Sequence, residues 1–318
     1  MVKIITNIQE AIASLEAEDV IGFPTETVYG LAGNIYSNKA IEKIFAIKQR
    51  PKFNPLIVHI GKKETVDDIA MEIPDIAYSL MDKFWPNPLT LLLKKKPGIP
   101  NIITAGSDMV AVRMPQHTMA LELLNAIPFP LAAPSANPFM RISPTTAKQV
   151  ATYFPDQLKY VLDGGNCIKG VESTIIGFPE GIPTLYRYGA IAAEKIETIT
   201  GKLFLKNKDE KSPATPGMLL KHYSPEKPII LVDNIEKLLL EIQETAIAIL
   251  SLSSIFTASN IVYQETLSID GDITEAAHHF YSALQRMDQS KARLIIAERM
   301  PDIGLGKTIN DRLERAAK

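Results

Sequence analysis

The chain predicts an α/β fold in two parts: a twisted mixed sheet with helices, then a smaller α/β unit with a parallel sheet. Three observations predict it. Up to about residue 203, short apolar runs closed by prolines interleave with stretches of helical apolar spacing, and some runs follow each other directly, unlike a strict βαβ series. From 204 to 227 the chain turns charged and then Pro- and Gly-rich. Beyond 228, strand-like and helix-like segments alternate again. A length of 318 residues suits two domains.

The elements follow in order. A short strand precedes a helix marked by Ile8, Ala11, Ile12 and Leu15, and the strand Val20–Phe23 comes next. Pro24 cannot donate to a ladder and ends the pairing, so Pro24 to Leu31 (PTETVYGL) is a loop, with Tyr29 and Gly30 turning the chain. A polar cluster at a strand end is where open α/β sheets hold ligands, and it is equally the composition of a surface turn. Ser37 or Asn38 caps a helix with Ile41, Ile44, Phe45 and Ile47 on its apolar face, which must stop near Pro51. Strands are expected at Leu56–Ile60, Leu89–Leu93 (after the Trp85–Pro88 turn), Met109–Arg113, Phe129–Ala133, Tyr160–Leu162, Ser173–Gly177 and Thr184–Tyr188. The stretch 212–217 (SPATPG) fits neither helix nor central strand and reads as linker. The second part restarts with strand Ile229–Val232, helix Ile235–Ile242, strands Ala246–Leu252 and Ile261–Gln264, helix Ile273–Arg286, strand Arg293–Glu298 and helix Lys307–Ala316. That alternation is Rossmann-like. The expected boundaries are 1–203, a linker at 204–227 and 228–318.

Composition narrows the function. Hydrophobic residues make up 46% and charged ones 22%, with 34 basic against 36 acidic side chains and a net charge of −2. This balance argues against a large sequence-independent nucleic-acid surface and leaves room for a local basic patch. No apolar run reaches the roughly 20 residues that span a bilayer, and residues 1–6 lack the features of a signal peptide, so a cytoplasmic location is expected. With Cys167 as the single cysteine there is no intrachain disulfide and no cysteine-based zinc site. Gly306-Lys307-Thr308 looks like the end of a P-loop, but Pro301 stands where its first glycine belongs. His278 and His279 fall in a helix with no third ligand in view, which fits surface and packing roles.

Several polar groups sit where chemistry is placed. Lys48-Gln49-Arg50 ends a helix just before Pro51, with Asn54 beyond. Cations there either complement the helix dipole or clamp phosphate. Ala133 to Asn137 (APSAN) is either a plain turn or a rigid loop for phosphate and ribose oxygens. His59 lies in an apolar strand, as a hydrogen-bonded core residue or a functional one. Arg113 and Arg187 end strands, reaching solvent or capturing an anion. Gly170 to Thr174 (GVEST) repeats the small hydroxyls of the opening loop.

Together these motifs are specific. PTETVYGL, KxRP then NPLIVH, AVRMP, APSAN, GVEST and KHYSP occur here in the order and approximate spacing of the YrdC/Sua5 family, and the chain resembles its long, Sua5-type members. The resemblance spans essentially the whole chain, resting in the second part on the α/β pattern and the 304–317 segment GLGKTINDRLERAA. It implies a YrdC-like twisted mixed sheet plus a Sua5-like C-terminal domain. It implies synthesis of L-threonylcarbamoyladenylate and pyrophosphate from L-threonine, bicarbonate or CO2, and ATP, for the N6-threonylcarbamoyladenosine modification at position 37 of tRNA. Carried over by motif, the threonine site comprises Thr27, His59, Arg113, Ala133 and Ser173. The ATP site comprises Arg50, Asn54, Met109, Ser135, Ser143, Arg187 and Tyr223. The signature Lys48, Arg50, Ser135 and Asn137 is the implied catalytic set. Met109 departs from the hydroxyl residue that can occupy its position in the family, which keeps a backbone contact with ATP and loses a side-chain one.

The chemistry implied needs no enzyme nucleophile: a carbamate of threonine attacks the α-phosphate in line, and the protein aligns reactants and stabilises charge. Lys48 and Arg50 are expected on phosphate oxygens, Arg113 on threonine's carboxylate, and Ser135 and Asn137 on the nucleotide. Mg2+ is the implied cofactor, held by phosphates and water, with no metal site made by protein side chains alone. A lid over the site is expected from Ser212–Pro225. A tRNA threonylcarbamoyl-transferase and weak RNA binding are the implied macromolecular partners. Two rivals stand beside this reading. A hydrogenase-maturation carbamoyltransferase shares the K-x-R and S-x-N signature but needs cysteine-rich zinc fingers. A non-catalytic RNA-binding module of the same fold needs no threonine-binding set.

Overall fold

A computed structural model describes residues 1–206, 215 and 223–318. The first part is built on an eleven-stranded mixed sheet. Its spatial order is Lys3–Ile5, Tyr160–Leu162, Ile21–Phe23, Gly30–Asn34, Leu131–Ala132, Ile57–His59, Met109–Arg113, Leu89–Lys94, Thr174–Gly177, Thr184–Arg187 and Phe204–Leu205. The last strand pairs in parallel with Thr184–Arg187, so this sheet reaches just past the expected boundary at 203. The second part has a four-stranded, wholly parallel sheet in the order Ile229–Val232, Leu294–Glu298, Ile247–Ser251, Ile261–Thr266.

Strand alternation sorts the first sheet into a core face and a site face. Val110 and Val112 of Met109–Arg113 are buried in the main core with Val58, Leu91, Leu93 and Ile176. Their alternates face the other way. Ile57 pairs with Ala111 and His59 with Arg113, while Thr90 and Leu92 pair with the same two residues from the other side. The polar ends of adjacent strands are thereby brought level.

One expectation needs correction. Tyr29 and Gly30 do not turn the chain: the turn is complete by Tyr29, and Gly30 opens a strand antiparallel to Ile21–Phe23, with Phe23 opposite Gly30. Leu31-Ala32-Gly33 lacks the β-branched residues that mark a strand, so it was silent in the sequence. Gly30 is required by close approach, since a Cβ there would lie 3.0 Å from the Ala133 Cβ. Of the two expected caps, Ser37 is the one used; its hydroxyl accepts from the Ala40 N–H at 3.1 Å at the start of Asn38–Lys48.

Two helices of the second part, Ile273–Gln289 and Leu305–Ala316, pack on each other, and Tyr281, Thr308 and Arg312 on them bond to Glu172 and Gly189 of the first part. Their apolar core is continuous with Val28, Ile142, Val171 and Tyr223, residues of the motif loops or beside them.

Candidate active site

The motif loops meet in one cavity with about 530 Å³ of space between protein atoms, including its mouth. Its wall takes Thr25, Thr27, Val28 and Gly30 from the opening loop, Arg50 from the helix end, and Ile57 and His59 from one strand. Arg113, Ala133 to Ser135, Glu172, Ser173, Arg187 and Tyr223 complete it. The structure therefore brings together Thr27, Arg50, His59, Arg113, Ala133, Ser135, Ser173, Arg187 and Tyr223 from the expected sets. Three arginines, Arg50, Arg113 and Arg187, line this one pocket with the single carboxylate of Glu172, a positive balance that favours anions.

Local structure aims each group. In the opening loop, the Thr25 hydroxyl donates to the Val28 carbonyl at 2.6 Å and accepts from the Thr27 N–H at 3.2 Å, a turn that fixes the Thr27 hydroxyl 2.9 Å from that of Thr25. At the end of Asn38–Lys48, Gln49 adopts a left-handed conformation (φ 52°), which sends Lys48 and Arg50 in different directions. Arg50 reaches the cavity while donating to the Pro55 carbonyl at 2.9 Å and the Asn54 carbonyl at 3.3 Å. Burial, partly offset by Tyr223, pulls its guanidinium below the usual range. Ser173 is fixed twice: its hydroxyl lies 2.6 Å from that of Thr90, and Arg187 donates to its carbonyl at 2.8 Å and its hydroxyl at 3.0 Å. His59 Nδ1 lies 3.2 Å from the Ile57 carbonyl, and the ring stands edge-on to Phe23. Burial, reinforced by Arg113, pushes the imidazole down to about 3, so it is neutral near pH 7.

Arg113 shows the clearest unmet demand. Its Nη2 lies 2.7 Å from Glu26 Oε1, an ion pair with both side chains buried. The alignment is not that of a hydrogen bond: Arg113 Nε and Nη2 and both Glu26 oxygens lack hydrogen-bond partners. Buried polar atoms in this state are rare in folded proteins and point to a missing ligand or water.

Other expected residues stand outside the cavity wall. Lys48 is buried beneath the Ser135–Asn137 loop, donating to the Ser135 carbonyl at 2.5 Å and to the Asn137 carbonyl. Burial holds its pKa well below the usual lysine value, with Arg50 adding to the effect. The structure thus directs Lys48 at backbone carbonyls instead of at the cavity. Asn137 donates to the Pro138 and Arg141 carbonyls, both at 2.8 Å, and tightens the same loop. The Asn54 amide is fully buried, and neither its nitrogen nor its oxygen has a hydrogen-bond partner. Ser143 lies behind the wall and donates to Glu172 at 2.8 Å. Met109 begins the strand that Arg113 ends, about 13 Å away at 3.3 Å per residue. It packs on an apolar strip formed by Ile57, Leu92, Ala111 and Ile175.

Sequence reasoning named Ser143, which donates to Glu172, but singled out neither Glu172 itself nor Tyr281 and Arg312. Tyr281 and Arg312, from the two C-terminal helices, both contact its carboxylate. A signal for Arg312 was present: at three residues after Ile309 and four before Ala316, it sits on the buried stripe of its helix, where a charge needs a partner. The expected lid falls largely on residues outside those described. Tyr223 and Thr215 are described, and both are buried.

The chain belongs to the Sua5/YciO/YrdC family. The family profile, described as "Telomere recombination", matches residues 13–189, and a second profile, "Threonylcarbamoyl-AMP synthase, C-terminal domain", matches residues 191–318. Among relatives, a threonylcarbamoyl-AMP synthase of Bacillus subtilis is 38% identical over 321 residues, covering 98% of this chain and 92% of the relative. One of Pyrococcus abyssi is 37% identical over 312 residues, covering 94% and 90%. The crystal structure of P. abyssi Sua5 complexed with L-threonine superimposes with a TM-score of 0.93 at 35% identity, covering 100% of this chain and 97% of that one.

Proposed function

We propose that the protein is an L-threonylcarbamoyladenylate synthase, a nucleotidyltransferase of the cytoplasm acting on L-threonine, bicarbonate or CO2, and ATP. The observation that carries this reading is the convergence of Arg50, Arg113 and Arg187 with the hydroxyls of Thr27, Ser135 and Ser173 on one cavity. Full-length similarity to threonylcarbamoyl-AMP synthases supports it.

In this reading Arg113 turns Nε and Nη2, which make no hydrogen bond, to threonine's carboxylate, a fork-to-fork match. His59 stays neutral and offers a hydrogen bond without adding charge. Threonine's amine adds to CO2, losing a proton, and a carbamate oxygen attacks the α-phosphorus in line as pyrophosphate leaves. Arg50 and Arg187 stabilise charge on the phosphates, and Ser135 orients the nucleotide. Lys48 and Asn137 act through the loop they brace. The adenine base is assigned to the apolar strip from Ile57 toward Met109. Mg2+ would come with ATP, its charge met by phosphate and water, since Glu172 of the cavity wall is already held by Arg312. The product would pass to a transferase that modifies tRNA.

Incubation with Mg-ATP, carbon-labelled bicarbonate and L-threonine tests the reading. Label in a threonyl adenylate, identified by mass, is expected. RNA binding without any labelled product would instead support a non-catalytic module.

A further inference from the structure

The Glu172 carboxylate is the most heavily engaged acid in the cavity wall. It accepts from Ser143 at 2.8 Å and from Arg312 Nε at 3.0 Å, and the Tyr281 hydroxyl lies 2.9 Å from both of its oxygens. Arg312 is fully buried and has further duties. Its Nη2 donates to the Tyr188 carbonyl at 2.7 Å, next to Arg187, and its guanidinium lies 4.8 Å from the centre of the Tyr223 ring. Tyr281 also packs on Tyr223, at 5.9 Å between ring centres.

The backbone shows the same grip. Gly170, at φ +70°, lies so close to the Ile273–Gln289 helix that a Cβ would stand 2.1 Å from the His278 carbonyl oxygen. Thr308 donates to the Gly189 carbonyl at 2.9 Å. The C-terminal helices therefore hold both chain segments that carry Ser173 and Arg187.

A buried carboxylate–guanidinium pair adds little net stability over apolar packing of equal volume, so stability alone is a weak reason for this cluster. Its geometry gives a stronger one: Glu172 and Tyr223 line the cavity and Arg312 and Tyr281 touch both, while Asp311 accepts from Arg312 Nη1 at 2.5 Å. We propose that Arg312 and Tyr281 are positioning residues of the active site, fixing Glu172 and Tyr223 so that the C-terminal domain forms part of the substrate-binding machinery. This rests on the proposed function for the identity of the ligands. It explains why the second apolar core is continuous with Val28, Val171 and Tyr223.

Tyr281→Phe removes only the hydroxyl, and Arg312→Lys keeps the charge but loses the planar fork. Calorimetric binding of L-threonine and Mg-ATP, melting temperature and steady-state kinetics should be compared with wild type. The expected result is a melting temperature near wild type, with the dissociation constant or KM for at least one ligand raised about tenfold. Arg312→Lys should be milder than Arg312→Met. If both conservative variants keep affinities, KM and kcat within about twofold while only the melting temperature falls, the cluster is an interdomain brace and the proposal is overturned. A wild type that binds both ligands but releases no pyrophosphate would defeat the proposed activity alone, since binding still tests the positioning. A wild type that binds neither would overturn both.

Discussion

Arg113 lies against the buried carboxylate of Glu26, and in the proposed reading it also meets the carboxylate of an incoming amino acid. Deleting its charge would strand Glu26, at a cost of about 3–5 kcal/mol. Arg113→Lys is the cleaner probe: the cation stays and the fork is lost. Threonine affinity is expected to fall about tenfold or more, roughly 1.4 kcal/mol, while ATP affinity changes little. Calorimetric titration with each ligand checks this, and an unchanged threonine affinity would remove Arg113 from its role. His59 gives a pH prediction with a definite sign. Its folded value is about 3 against 6.5 unfolded, so between these limits the unfolded chain binds a proton that the folded one refuses. Its contribution to stability is therefore intact above 6.5 and declines on acidification toward 3, with a limiting slope of about 1.4 kcal/mol per pH unit. His59→Gln should flatten that part of a stability-versus-pH curve. An unaltered slope would mean that other groups cause it.

Helix Asn38–Lys48 shows how one element feeds the site from its end. The Ser37 cap and the proline stop were legible because capping and pre-proline sterics are local. The parting of Lys48 from Arg50 was not, because it depends on Gln49 entering a left-handed conformation that sequence does not announce. Two substitutions separate the ends of this helix. Ser37→Ala should cost about 1 kcal/mol in chemical denaturation and leave both KM values unchanged. Lys48→Met should leave the Ser135 and Asn137 carbonyls without their buried donor, loosening that loop and weakening ATP binding several-fold more than threonine binding. Equal weakening of both ligands would show that the loop does not belong to one subsite. The strand Gly30–Asn34 illustrates the opposite limit: small residues can pair between two strands with no propensity signal to mark them.

Across the whole molecule, most strands of the first part and the alternation of the second were readable because strand alternation, prolines and helix spacing are local physics. The cavity was readable only through motif resemblance, since Thr27, Arg50, His59, Arg113, Ser135, Ser173 and Arg187 come from separate segments and converge through sheet register. The contribution of the C-terminal domain was hidden because Glu172, Tyr281 and Arg312 meet across more than a hundred residues of chain. Glu172 also adds an acid limit. Burial alone would raise its pKa, but Arg312, Arg187 and Ser143 together hold it below 4.5. Its stabilising contribution is therefore present above 4.5 and lost as pH falls through the lower folded value. Glu172→Gln should reduce that loss, as followed by melting temperature against pH. The central claim is that this cavity joins three substrates without an enzyme nucleophile, and the most direct test is pyrophosphate release by the purified protein with Mg-ATP, bicarbonate and L-threonine, each omitted in turn. Release that requires all three is predicted. Release that persists without threonine or without bicarbonate, or no release with all three present, would contradict it.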